Sequence, residues 1–155
     1  MAKEVMVRHA SDNEYLHRDF HLFTNRGIEY LRVNFGEEHV YAYLRQFAKA
    51  YYSPLKAEIV EKGLEAVKAH FVKLYDIEKA SDALNINCKD NEMAIDIAYC
   101  PAVKYLRANN MDPSPMYVET TRTVWAEICA DTKCSFELLS YDNETGAAKL
   151  IFKEV

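Results

Sequence analysis

The feature that most constrains this chain is a change of hydrophobic period near Ser81. Before it, apolar residues recur every three or four positions, the spacing of one helix face. After it, two stretches alternate apolar with polar residues around short turn-forming clusters, the pattern of hairpins. Helices grouped ahead of strands argue for an α+β fold rather than an alternating α/β one.

In the helical part, Ser11-Asp12-Asn13-Glu14 carries the S-x-x-E spacing of a capping box. Leu16, Phe20, Phe23, Gly27, Tyr30 and Leu31 then form a stripe that runs to Gly36, a helix stop. Glu37 and Glu38 suit the positive end of a second helix, whose stripe is Val40, Leu44, Phe47, Ala48 and Tyr51. Ser53-Pro54 restarts the pattern as cap and first residue, and Ile59, Val60, Leu64, Val67, Phe71 and Leu74 continue it. Gly63 interrupts that run and predicts a break or kink.

In the second part, Leu84, Ile86 and Cys88 alternate with asparagines up to the turn Lys89-Asp90-Asn91, and Met93, Ile95, Ile97 and Tyr99 alternate beyond it. Pro101 opens a short helix that ends near Asn109-Asn110. Asp112-Pro113-Ser114-Pro115 is a loop, and a helix follows from Tyr117 to Ala130. Phe136, Leu138 and Ser140, a turn at 142–146, and Leu150 and Phe152 make a second hairpin. The expected architecture is N-terminal helices (about 11–80) packed on a four-stranded antiparallel sheet, made of two hairpins linked by helices (about 83–153), in one domain.

Size and composition agree with this. At 155 residues, half of them hydrophobic and 28% charged, the chain can bury a core without staples. A net charge of −5 without a basic cluster argues against nucleic acid and anionic membrane as partners. No apolar run is long enough to span a bilayer, and the first residues have no signal-peptide pattern, so a cytoplasmic location is expected. The four cysteines are then reduced thiols, and their spacing is not that of a zinc or C-x-x-C redox motif. Eleven tyrosines against one tryptophan supply apolar bodies with polar tips, suited to pocket walls or to a homodimer face.

Two groups of residues carry candidate chemistry. Cys100 precedes Pro101 at the start of a helix, where the N–H groups of Ala102 and Val103 favour a thiolate. Strand parity puts it beside Asp96 and Ala98; the bland alternative is a small buried cysteine. His17 and His21 lie four apart on the first helix and share a face with Thr24 and Ile28, at the edge of the apolar stripe. Such a pair can hold a metal, supply a base, or sit at a helix boundary. Asp19 points away from both, and neither a metal site nor a cofactor follows from the sequence. Glu78, Asp96, Glu119 and Glu127 are open candidates for an orienting carboxylate. Tyr52, Asp96, Lys104 and Arg122 are candidate substrate-binding residues, with Arg107 a further cation.

Y-L-H-R-D-F-H, G-E-E-H-V-Y-A-Y-L-R-Q-F-A-K-A-Y-Y, S-P-L-K, E-K-G-L-E-A-V and C-P-A-V-K-Y-L together resemble the bacterial L-2-amino-thiazoline-4-carboxylic acid hydrolase-like family, over roughly residues 15–152. The resemblance implies a hydrolase of the class that acts on cyclic amidine carbon–nitrogen bonds, opening a thiazoline ring to give a carbamoyl-cysteine. It transfers no catalytic residue. The hairpin–helix–hairpin order is also similar in shape to vinyl-reductase-type sensor domains, which implies a non-catalytic pocket for a small molecule, with Cys100 as packing or as a haem or metal contact.

Overall fold

The computed structural model describes the backbone from residue 14 onward and side chains from residue 18 onward. The capping box at Ser11 and the side chain of His17 lie outside the described residues. The helical half comprises α1 (Glu14–Phe35), α2 (Glu37–Tyr51), α3 (Ser53–Lys62) and α4 (Leu64–Ile77). The second half comprises β1 (Leu84–Lys89), β2 (Glu92–Ile97), α5 (Pro101–Ala108), α6 (Glu119–Cys129), β3 (Cys134–Tyr141) and β4 (Ala148–Glu154). The α+β expectation holds, with the strands in one antiparallel sheet of order β1-β2-β4-β3.

The sheet has one buried face, because alternation puts Met93, Ile95 and Ile97 of β2 on the same side as Ala148, Leu150 and Phe152 of β4. The helices cover that side. Phe71 of α4 stacks on Trp125 of α6 with ring centroids 5.0 Å apart, and Phe152 meets Trp125 edge-on at the same distance. The opposite face carries charge, with Lys153 3.1 Å from Glu92 and Lys149 3.6 Å from Asp96.

Two breaks shape the helical layer. Gly36 (φ 96°) separates α1 from α2, and Gly63 (φ 61°) separates α3 from α4. A side chain at Gly63 would meet only the mobile carboxylate of Glu154, so the expected break rests on the positive φ that glycine adopts without strain.

The structure turns α1 part-way from the expected orientation. Phe23 and Tyr30 of the expected stripe are exposed, Leu31 packs on the core and Phe20 lies at the cavity edge, whereas Ile28 is fully buried and Asn25 nearly so. The inward face is therefore the row of His21, Thr24 and Ile28. Asn25 explains the choice in part. Its side chain donates to the Asp112 carbonyl at 3.0 Å and accepts from the Ser114 amide at 2.7 Å, and Ser114 Oγ donates to Glu29 of the same helix. These bonds fasten α1 to the loop that leads into α6.

The second correction concerns β3. Alternation from Phe136 predicts Ser140 on the buried face, but a bulge lies between Leu138 and Ser140, which pair with Leu150 and Lys149. The exposed Leu139 is the extra residue. Tyr141 then pairs with Ala148 and turns toward the helices.

Candidate functional site

Between α1, α2, α4, α5 and α6 lies a cavity of about 160 Å³. Its wall is largely hydrocarbon and aromatic, from Leu44 and Phe47 of α2, Leu74 of α4, and Val124 of α6. Phe20 sits at its edge, 5.7 Å from the ring of Phe47 and 6.3 Å from that of Tyr51. Polar groups enter from His21, Glu78, Cys100, Tyr52, Tyr75 and Tyr117.

His21 and Glu78 meet although 57 residues separate them. His21 Nε2 lies 2.7 Å from Glu78 Oε1, with the two side chains only 12% and 7% exposed. Glu78 follows the last turn of α4, where the helix dipole disfavours a carboxylate, so an imidazole partner is a favourable neighbour there. A carboxylate bonded to one ring nitrogen fixes the imidazole's orientation. In the tautomer that donates Nε2–H to Glu78, the basic lone pair resides on Nδ1.

Cys100 is set by three constraints. Its amide donates to the Thr145 carbonyl at 2.9 Å, and its carbonyl accepts the Lys104 amide of α5. Gly146 (φ 70°) presses against it so closely that a side chain there would run into the Cys100 Cβ and Val103. Burial pushes the Cys100 thiol up from its ordinary value, and the N–H groups of Val103 and Ala102 oppose this without overcoming it. The anchoring donors are those expected from the sequence; the net direction is the reverse of an activated thiol. β2 ends at Ile97, so strand parity does not extend to Cys100.

Tyr75 and Tyr117 are 5% and 4% exposed, and neither hydroxyl has a hydrogen-bond partner among the described residues. Desolvation raises both phenols, and each lies within electrostatic reach of Cys100 and Glu78. Tyr52 is likewise raised by burial, to about 12. Tyr141, brought inward by the bulge, also senses Cys100. The cavity thus has a polar end of Glu78, His21, Cys100 and the two phenols, and an apolar end at Leu44, Phe47 and Val124.

Of the residues singled out by sequence, Cys100, His21 and Tyr52 converge on this cavity. Asp96 does not, because its strand parity puts it on the solvent face of the sheet beside Lys149. Arg122 does not line it either; it is exposed and hydrogen-bonded to Glu119, which is held by Thr123 as well. Lys104 lies in a neighbouring depression of about 290 Å³ that shares Glu78 and Pro101, with its ammonium 4.7 Å above the ring of Tyr99. Arg107 bridges Asp112 and Glu144 at the surface. Among the four candidate carboxylates, only Glu78 reaches the cavity; Glu127 lies 3.7 Å from Lys49.

Tyr75 and Tyr117 were not legible as site residues. Each falls on a helical pattern where an aromatic reads as core, and both are indeed in the core by burial. All four cysteines are free thiols. Among the described residues, no group of three or more His, Cys, Asp or Glu side chains is arranged to hold a metal ion, and no helix is long and apolar enough to cross a membrane. Comparison with family models, with curated proteins and with solved structures finds no significant match for this chain.

Proposed function

We propose that this chain binds a small molecule of one five- or six-membered ring in the α1–α6 cavity and hydrolyses it, with His21 as general base and Glu78 as the group that orients it. The observation that carries the reading is the 2.7 Å contact between His21 and Glu78 at the wall of a cavity that also contains Cys100. The size of the cavity supports a single ring, since an apolar hollow of about 150 Å³ holds benzene. The resemblance to the thiazoline-carboxylate hydrolase-like family supplies the bond, a cyclic amidine flanked by sulfur and nitrogen.

On this reading His21 takes a proton as a water oxygen bonds to the amidine carbon. The C=N electron pair moves to the ring nitrogen, which takes up that proton; the ring carbon–sulfur bond then breaks as the added hydroxyl becomes a carbonyl, its electron pair leaves on sulfur, and the hydroxyl proton passes to that sulfur. One water is consumed, and a urea and a thiol result. Cys100, kept protonated by burial, suits hydrogen-bond donation to the departing sulfur better than attack.

A second reading is a non-catalytic binding domain, favoured by the predominantly hydrocarbon wall and the neutral thiol. A turnover screen of 2-aminothiazoline-4-carboxylate and related cyclic amidines separates the two. Release of thiol that is lost in Glu78→Gln supports the hydrolase. Saturable binding of the same compounds without thiol release supports the binding domain and removes the catalytic reading.

A further inference from the structure

A buried hydroxyl without a partner is costly, so a pair of them on one cavity wall implies an acceptor that arrives from outside the protein. Tyr75 comes from α4 and Tyr117 from the turn before α6, and both are more than nine-tenths buried. Both hydroxyls lack a partner among the described residues, and both lie near Cys100 and Glu78 at the polar end. Thr120, whose side chain also reaches this cavity, is by contrast satisfied within the protein, donating to the Tyr117 carbonyl at 2.7 Å.

We infer that Tyr75 and Tyr117 form a two-donor site for an acceptor atom of the ligand, a carbonyl oxygen or unprotonated ring nitrogen, and so select rings with an acceptor edge over hydrocarbon rings of equal size. This rests on the reading of the cavity as a ligand site. Deprotonation does not compete with donation, because burial keeps both phenols protonated well beyond neutral pH. Cyclic ureas, lactams and cyclic amidines all carry such an acceptor atom. Discrimination of this kind is large, because the analogue without the acceptor leaves buried donors unpaired.

The test uses two probes of six heavy atoms each, 2-imidazolidinone and benzene, titrated into the full chain by calorimetry or ligand-observed NMR. Tyr75→Phe and Tyr117→Phe retain both rings and remove only the hydroxyls. The expected result is at least a tenfold loss of 2-imidazolidinone affinity in each variant, with benzene affinity unchanged or improved. Equal loss for both probes, or no loss for 2-imidazolidinone, overturns the donor role. Binding of benzene alone by the unmodified protein overturns it too and leaves the cavity as a ligand site. Binding of neither probe removes the ligand-site reading and this inference with it.

Discussion

His21 on α1 and Glu78 at the end of α4 form a buried pair with Nε2 and Oε1 2.7 Å apart, and this pair links the helix that begins the described chain to the polar end of the cavity. If it is the acid–base pair, Glu78→Gln should reduce thiazoline ring opening by about 10²–10⁴-fold while the ring still binds. His21→Asn should do the same. Steady-state kinetics beside equilibrium binding checks this, and full turnover in both variants would remove His21 from the chemistry.

The thiol makes a separate prediction. Cys88 is exposed and Cys100 is raised by burial, so iodoacetamide at pH 7.5 should label Cys88 first. Labelling of Cys100 should climb only as pH passes above the ordinary thiol range, because only the thiolate reacts. Peptide mapping by mass spectrometry over pH 7–10 reads this directly. Fast labelling of Cys100 at neutral pH would restore the nucleophile assignment.

The sequence made the fold more legible than the site, for a physical reason. Secondary structure follows from local spacing, and the change of period near Ser81 and the stop at Gly63 are local signals. Which face of α1 turns inward is not local. The stripe through Phe23 and Tyr30 is the more hydrophobic, yet Asn25 and Glu29 bond to the loop at Asp112 and Ser114 and turn that stripe part-way outward. The same holds for the site. His21 and Cys100 stood out by residue type, but the choice of Glu78 over Asp96 or Glu127 needed the tertiary contact. Leu138-Leu139, two apolar residues out of phase in a strand, was the available sign of the bulge that turns Tyr141 inward.

The orientation of α1 gives a stability contrast. Ile28 is fully buried, and Ile28→Ala should cost about 2–5 kcal/mol. Phe23 is 71% exposed, and Phe23→Ala should change stability by no more than about 0.5 kcal/mol. Urea unfolding of both variants decides the matter. A larger loss at Phe23 than at Ile28 would contradict the observed packing.

His70 contributes to the loss of stability on the acid side. Its ring lies edge-on to Tyr52 and to Trp125, each 5.7 Å away, and burial lowers it from 6.5 to about 4. The unfolded chain therefore binds a proton at this position below about pH 6.5 that the folded chain refuses until about pH 4. Stability from this residue is complete above pH 6.5 and falls as pH drops through that window, by about 3 kcal/mol at most. His70→Phe keeps an aromatic ring in the cluster and should flatten the decline. Unfolding free energies at pH 7 and pH 4.5 in both proteins measure it, and an equal decline in the two would exclude His70 as its source.

Gly146 ties the β3–β4 turn to the site, and its replacement tests whether the turn positions Cys100. At φ 70° an alanine is strained by its backbone alone, which costs about 1–3 kcal/mol. The added methyl would also meet the Cys100 Cβ and Val103, on the first turn of α5 and beside the Thr145 carbonyl that holds the Cys100 amide. Relief requires the turn to lift from α5, which breaks that bond and opens the polar end of the cavity to water. Gly146→Ala should therefore lower stability and, in the folded protein, speed alkylation of Cys100 at neutral pH by exposing the thiol. Gly36 also has positive φ, but nothing lies within 4 Å of a side chain added there. Gly36→Ala should share the backbone cost and leave Cys100 labelling unchanged, so a comparison of the two variants by urea unfolding and peptide mapping isolates the steric contribution at the site.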